Sequence, residues 1–409
     1  MNRKIILPFT LLTLLSLSAC GSSPKYTEED VINAFIKEAQ ARIDNHGKIG
    51  IKKDTIPSSA LLKEYPASFD LRHVDTNNDG KYENYVTGVK FQRPFGSCWS
   101  FGATAAAETS ILYDLKQEAI DEYGNDTIDL SEHHTAWYAY TQLPQTDIQG
   151  GEGLVSMNEG VNENQSLKLS SGSTQFAASS LWACGMGVIQ EPEFDEESKE
   201  TISQLTYRGK NALRTTTKKG YPIYSKEDDW SIDESLRFKQ TYMLENSIYL
   251  PESVYIKEDG TMDLDYCDLA TKTYKEQLMN GRALVVGFKA DAYLADKTEG
   301  IPKYINNETW AHYTYELSGP NHSVCIVGWD DNYSRSNFLS EVQDVDEDGK
   351  PIIKKVNQPP KDGAWIVKNS WGALDTNSQG LTNSDWGING TGYFYLSYYD
   401  MSLDSAEAY

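Results

Sequence analysis

The 409-residue sequence predicts an α+β protein in which a helical lobe faces a sheet lobe. The earlier apolar segments have helical character. Residues 99–117 are alanine-rich with apolar positions at Phe101, Ala105, Leu112 and Leu115, and a second helix is expected over 174–183. The later apolar segments, 283–288, 323–327, 364–367 and 392–398, are short, β-branched or aromatic, and bounded by Gly, Asp or Asn, as strands are. Helices come first and strands later, so the two kinds of structure fall into separate layers.

Composition narrows the function. A formal charge of −23, from 60 acidic against 37 basic residues, repels phosphate backbones and anionic lipid heads. Nucleic-acid binding and electrostatic membrane docking are therefore not expected. Hydrophobic content of 39% with 26 Tyr and 9 Trp is that of a folding chain, long enough for one large core or two moderate ones.

In chain order, Asn2-Arg3-Lys4 and the apolar run Ile5 to Leu17 read as an export signal, too short for a normal membrane span of about 20 residues. Leu17-Ser18-Ala19-Cys20 resembles a bacterial lipobox. Residues 1–19 are accordingly expected to be a lipoprotein signal peptide, with Cys20 the lipidated N-terminus that tethers the protein outside the cytoplasm. Within 20–64, Thr27-Glu-Glu-Asp30 opens an amphipathic helix carrying Val31, Ile32, Phe35, Ala39 and Ile43 on one stripe. That helix either docks as a short pro-segment or packs as part of the mature domain. The globular domain is expected over 65–409.

The strongest chemical signal is Gln92-Arg-Pro-Phe-Gly-Ser-Cys-Trp-Ser-Phe101. Cys98 stands at the start of the alanine-rich helix, where the positive end of the macrodipole favours an anion. A thiol with its free pKa of about 8.5 needs such help to attack a carbonyl. Gln92 places a side-chain amide nearby to donate to a developing oxyanion. An arbitrary cysteine beside aromatics would more often be a core residue; the neighbouring residues argue against that here. His322 opens the apolar run Asn321-His-Ser-Val-Cys-Ile-Val-Gly-Trp329, a rigid place for a base. Asn369, within Trp365-Ile-Val-Lys-Asn-Ser-Trp-Gly372, ends another strand and can accept from the imidazole, with Trp371 covering that bond.

These motifs together resemble the papain-like cysteine peptidases. Pro66 to Arg72 is similar to that family's opening, Val89-Lys-Phe-Gln92 to the segment before its nucleophile, Leu130-Ser-Glu132 to the segment after its central helix, and Asn369-Ser-Trp-Gly372 to its orienting segment. The resemblance covers roughly 66–196 and 272–398. It implies a papain-like two-lobe fold with the active site in the cleft, Cys98 as nucleophile, His322 as base, Asn369 orienting it, and Gln92 at the oxyanion. It also implies Gly172 as the backbone-binding glycine before the second helix and Trp371 beside the substrate. Three departures stand out. Phe95 occupies the position of a common disulfide cysteine, a single glycine precedes Ser173 where two are usual, and the interval from Cys98 to His322 exceeds the about 130 to 150 residues of the pattern. The chain therefore carries insertions, the largest near 197–270 and another, near 331–362, between His322 and Asn369.

Of the five cysteines, Cys184, Cys267 and Cys325 are read mainly as buried free thiols, with one pair among them the alternative. Asp75-Thr-Asn-Asn-Asp79-Gly80 and Asp344-Val-Asp-Glu-Asp348-Gly349 begin like calcium loops. Their twelfth positions are Val86 and Lys355, so solvated turns are favoured over calcium binding. No spacing suggests another metal or a cofactor. The expectation is a monomeric cysteine peptidase acting on extracellular proteins or peptides, a reading preferred to a catalytically dead binding relative, an aminopeptidase or an amide transferase.

Overall fold

The computed structural model describes residues 64–409 except 77, 142–164, 171, 192–203, 217–219, 221, 292–301, 347–349, 375–384 and 405. Cys20, the signal segment and the amphipathic segment 27–47 lie outside the described residues.

Helix α1, Cys98–Leu115, begins at the nucleophile candidate and is buried almost continuously from Trp99 to Thr109. Ala103, Ala105, Ala106 and Ala107 make this possible, because small side chains let neighbours close on the helix from several sides. It ends where Lys116 adopts a left-handed conformation and returns its N–H to Leu112 and Tyr113. Helix α2, Glu132–Ala139, starts at Ser131, whose hydroxyl accepts from the His134 N–H. Helices α3, Gln165–Ser170, and α4, Gln175–Ala183, complete this lobe, with α4 packed on α1 and α2.

The strands are β1 Ser68–Asp70, β2 Arg214–Thr216, β3 Pro222–Tyr224, β4 Ile248–Tyr249, β5 Leu284–Phe288, β6 Ile305–Asn306, β7 Ala311–His312, β8 His322–Asp330, β9 Glu341–Val345, β10 Pro351–Lys355, β11 Ala364–Lys368, β12 Tyr393–Ser397 and β13 Glu407–Ala408. The main sheet runs β4-β13-β5-β8-β11-β12-β7-β6, with β1 also on β8. Its pairs are antiparallel except β12 with β7. Strands β5, β8 and β11 are buried along nearly their whole lengths, as their near-continuous apolar runs require. Strands β2–β3 and β9–β10 form two small ribbons of their own, in the two segments expected from the sequence to be insertions.

The helical layer meets the sheet where α1 lies on β5 and β8. Gly102 sets the closeness of that contact, since a Cβ there would stand 3.1 Å from Val285 Cγ2 and 3.4 Å from the Val324 carbonyl. The molecule thus has the two-lobe α+β arrangement that the motifs imply, with the start of α1 facing the start of β8.

A buried ionic network ties the layers together. Lys90 Nζ lies 2.8 Å from Glu108 of α1, 2.8 Å from Glu132 of α2 and 2.5 Å from Asp129. The Thr87 hydroxyl donates to Glu108 at 2.6 Å and accepts from Lys368 Nζ of β11 at 2.9 Å. Burial alone would lower the Lys90 pKa, but Asp129, Glu108 and Glu132 hold it well above the ordinary lysine value. Burial likewise opposes ionisation of Glu108, and Lys90 and Lys368 reverse that.

Helix α5, Leu264–Met279, also packs on β5 and β8 and was not anticipated from the sequence. Its signals were an Asp263 cap accepting from the Tyr266 N–H and a buried stripe of Tyr266, Ala270, Tyr274 and Leu278 at four-residue spacing. Cys267 and Cys325 are buried free thiols as expected, whereas Cys184 is exposed just past α4. The Asp75 carboxylate closes its own turn by accepting from the Asp79 and Gly80 N–H groups, and Val86 is buried, so the twelfth position of that loop offers no ligand.

Candidate active site

The segment Gln92–Ser97 leads into α1 and presents Cys98 at the first helical position. Burial raises the Cys98 thiol pKa; hydrogen bonds from the backbone N–H groups of Ser323, Trp99 and Cys98, and from the Ser323 hydroxyl, pull the other way. These contacts place the sulfur against the start of strand β8, one residue from His322.

His322 is held from three sides. Its Nε2 lies 2.8 Å from Asn369 Oδ1. Its ring stacks on Trp371 with centroids 4.5 Å apart and an interplanar angle of 28°, and Phe288 lies across at 5.8 Å. The Asn369 amide is oriented by the Ser370 N–H, which donates to Oδ1 at 2.8 Å. Because that oxygen is the acceptor, Nε2 must be the donor, and Nδ1 is left with the lone pair. Burial lowers the imidazole pKa to about 4, against a smaller raising effect of Asn369. Desolvation of both groups drives each away from its charged form.

Gln92 is fixed by its carbonyl oxygen, which accepts from the Ser370 hydroxyl at 2.8 Å and from Trp371 Nε1 at 3.2 Å. Its amide nitrogen donates to the Phe95 carbonyl at 3.2 Å. Trp371 covers the imidazole, orients Gln92 and packs edge-on against Trp386 at 5.4 Å. Gly172 has φ +65° with open space where a Cβ would be, so conformation rather than crowding favours glycine there. Its carbonyl accepts from the Tyr140 hydroxyl.

Gln92, Cys98, Gly172, His322 and Trp371 all line one cleft of ≈ 560 Å³ between the lobes, and Asn369 lies behind His322. Among the site residues expected from the sequence, Cys20 is the one outside the described residues. Sequence reasoning did not single out Ser323, Pro320, Gly287 or Asp404, which also line the cleft. Ser323 lay inside the run that His322 opens, without a role of its own; Asp404 reaches the cleft through the fold and carried no local signal.

The site is thus a cysteine at a helix N-terminus, a histidine at a strand start and an asparagine orienting that histidine. No family model and no curated protein matches this sequence. Solved structures similar to the chain include the clostridial cysteine protease Cwp84 after propeptide cleavage, at 21% identity and TM-score 0.42, covering 79% of this chain and 54% of that one. A second is the cysteine protease and lectin-like domains of Cwp84, a surface layer associated protein of Clostridium difficile, at 20% identity and TM-score 0.43, covering 85% and 52%. A third is procathepsin L2 from the larval midgut of Tenebrio molitor, at 18% identity and TM-score 0.41, covering 85% and 68%. The chain spans about half the length of the first two.

Proposed function

We propose that this chain is a cysteine peptidase that hydrolyses peptide bonds of extracellular proteins or peptides through a Cys98 thioacyl intermediate. The observation that carries this reading is the His322–Asn369 bond of 2.8 Å in the cleft that Cys98 borders, because it fixes the tautomer a base needs. His322 Nδ1 takes the Cys98 proton as the sulfur attacks the peptide carbonyl carbon. The carbonyl oxygen becomes an oxyanion that the Gln92 amide and the Cys98 N–H can receive. His322 returns its proton to the departing amine as the C–N bond breaks, leaving a thioester on Cys98. Water, giving its proton to His322, attacks the thioester, and the acid product leaves as the thiol recovers that proton. The Gly172 N–H would hold the substrate backbone, its carbonyl being taken by Tyr140.

The lipobox-like segment ending at Cys20 supports a lipid-anchored, extracytoplasmic location. Among the described residues no helix is long and apolar enough to cross a membrane.

The reading is tested with the purified domain and a peptide library containing N-blocked and free-amine members. Cleavage of blocked peptides that disappears in Cys98→Ala, with the melting temperature nearly unchanged, is the expected result. Undiminished cleavage by Cys98→Ala would overturn the assignment, and cleavage restricted to free-amine peptides would replace internal cleavage with aminopeptidase action.

A further inference from the structure

The residue before the nucleophile has an unusual partner. Ser97 is fully buried at the N-terminus of α1, where a serine hydroxyl ordinarily accepts from an N–H of the first turn. Here the hydroxyl makes no such bond. It lies 2.7 Å from the hydroxyl of Tyr207, a residue of the 197–270 insertion that is only 2% exposed. The Ser97 carbonyl takes the N–H groups of Ser100 and Phe101, at 2.9 and 3.3 Å. The first-turn N–H that a freed Ser97 hydroxyl could reach is then that of Trp99, which is directed at the Cys98 sulfur.

Tyr207 is itself held rigidly. The Ser131 hydroxyl donates to the Leu205 carbonyl, and the His133 ring lies 3.2 Å from the Thr206 carbonyl and 2.8 Å from that of Trp230. Its ring packs edge-on against Phe101 at 4.9 Å, Trp230 at 5.4 Å and Phe95 at 6.4 Å. Phe95, which stands where the resembling family commonly has a disulfide cysteine, also meets Trp230 edge-on at 4.8 Å. An aromatic cluster contributed by the insertion thus braces the segment that carries the nucleophile.

We propose that Tyr207 is a positioning residue: by holding the Ser97 hydroxyl away from the helix N-terminus, it keeps the first-turn N–H of Trp99 free for the Cys98 sulfur. This rests on Cys98 being the nucleophile, and it gives the inserted segment a role in the chemistry. Loss of the Tyr207 hydroxyl lets Ser97 cap the helix and compete for that N–H. Removing the Ser97 hydroxyl as well removes the competitor.

The test is the pH dependence of iodoacetamide alkylation, read at Cys98 by peptide mass mapping and run below each variant's melting temperature. Tyr207→Phe is expected to slow Cys98 alkylation near pH 6 by roughly 3- to 10-fold and to lower kcat without raising KM. Ser97→Ala, alone or combined with Tyr207→Phe, should react at close to the wild-type rate. A Tyr207→Phe profile that superimposes on wild type, with only a lower melting temperature, would mean that the tyrosine is merely structural. An equal loss in Tyr207→Phe and in the double variant, or a loss in Ser97→Ala alone, contradicts the competition. Iodoacetamide needs no peptide substrate, so failure of the underlying reading is separately visible: wild-type Cys98 would then react no faster than exposed Cys184.

Discussion

At the residue scale, burial acts on Cys98 and His322 in opposite directions, and the two effects combine into one expectation. With one proton between them the pair has no net charge, whether drawn as thiol and imidazole or as thiolate and imidazolium. Adding a proton creates a buried cation, which the lowering of His322 to about 4 opposes. Removing the last proton creates a buried anion, which the raised Cys98 value opposes. The competent form should therefore span a wide interval, as a property of the pair rather than of either residue. We expect a broad bell for kcat/KM in pH, with an acid limb near 4 and an alkaline limb above the ordinary thiol value of about 8.5. A narrow bell centred near 7.5, between the ordinary imidazole value of about 6.5 and the thiol value of about 8.5, measured with an N-blocked fluorogenic peptide, would show that solvent reaches the pair freely. Asn369→Ala should lower kcat by about 10- to 100-fold, part of the roughly 10²- to 10⁴-fold that a general base contributes. Its melting temperature should also fall, because the buried His322 Nε2 and the Ser370 N–H lose their acceptor. An unchanged kcat would remove Asn369 from the site. These residues were legible because each sits in a short run with its own signature. Tyr207 and Asp404 were not, because their approach depends on how distant segments pack.

At the element scale, the geometry depends on α1 meeting β8 at Gly102 and on Lys90 joining the elements behind the site. Lys90→Met would leave the buried Glu108 and Glu132, and the half-buried Asp129, without their shared cation, and breaking a buried pair costs about 3–5 kcal/mol. Chemical denaturation of Lys90→Met at pH 7 should show a loss of that order, diminished at lower pH as carboxylates protonate. The sign follows from Glu132: burial raises its pKa to about 7 even with Lys90 present, so its neutral form is already accessible in the folded state. A loss that grows on acidification would contradict this assignment. The motifs Val89-Lys90 and Leu130-Ser131-Glu132 were legible as sequence, and their physical meaning emerged only when Lys90 and Glu132 proved to be partners. The strands β5, β8, β11 and β12 were legible from their apolar runs. Helix α5 was missed because Thr271, Lys272, Thr273 and Lys275 interrupt its apolar content, although the Asp263 cap and the four-residue spacing were present.

At the scale of the whole molecule, the grouping of α1 to α4 ahead of the main strands was enough to separate the layers, although β1 precedes α1 and α5 falls among the strands, and the motifs placed the cleft between them. The inserted segments were legible only as extra length. One of them packs Tyr207 and Trp230 beneath the nucleophile, an arrangement no local pattern encodes. For the chain as a cell carries it, Cys20→Ser should shift the protein out of the detergent-soluble membrane fraction, released or kept as precursor, without altering the activity of the purified domain. Wild-type protein recovered wholly in the medium, without acyl mass on its N-terminus, would contradict lipid anchoring. The central claim is that Cys98, and no other cysteine, is the nucleophile. Reacting the wild-type protein with an epoxysuccinyl thiol-protease inhibitor and mapping the adduct by mass spectrometry tests this most directly. The account predicts one adduct, at Cys98, formed in step with the loss of peptide cleavage and absent in His322→Ala over the same interval; an adduct at Cys184, Cys267 or Cys325 that accompanies the loss of cleavage, with Cys98 unmodified, would contradict it.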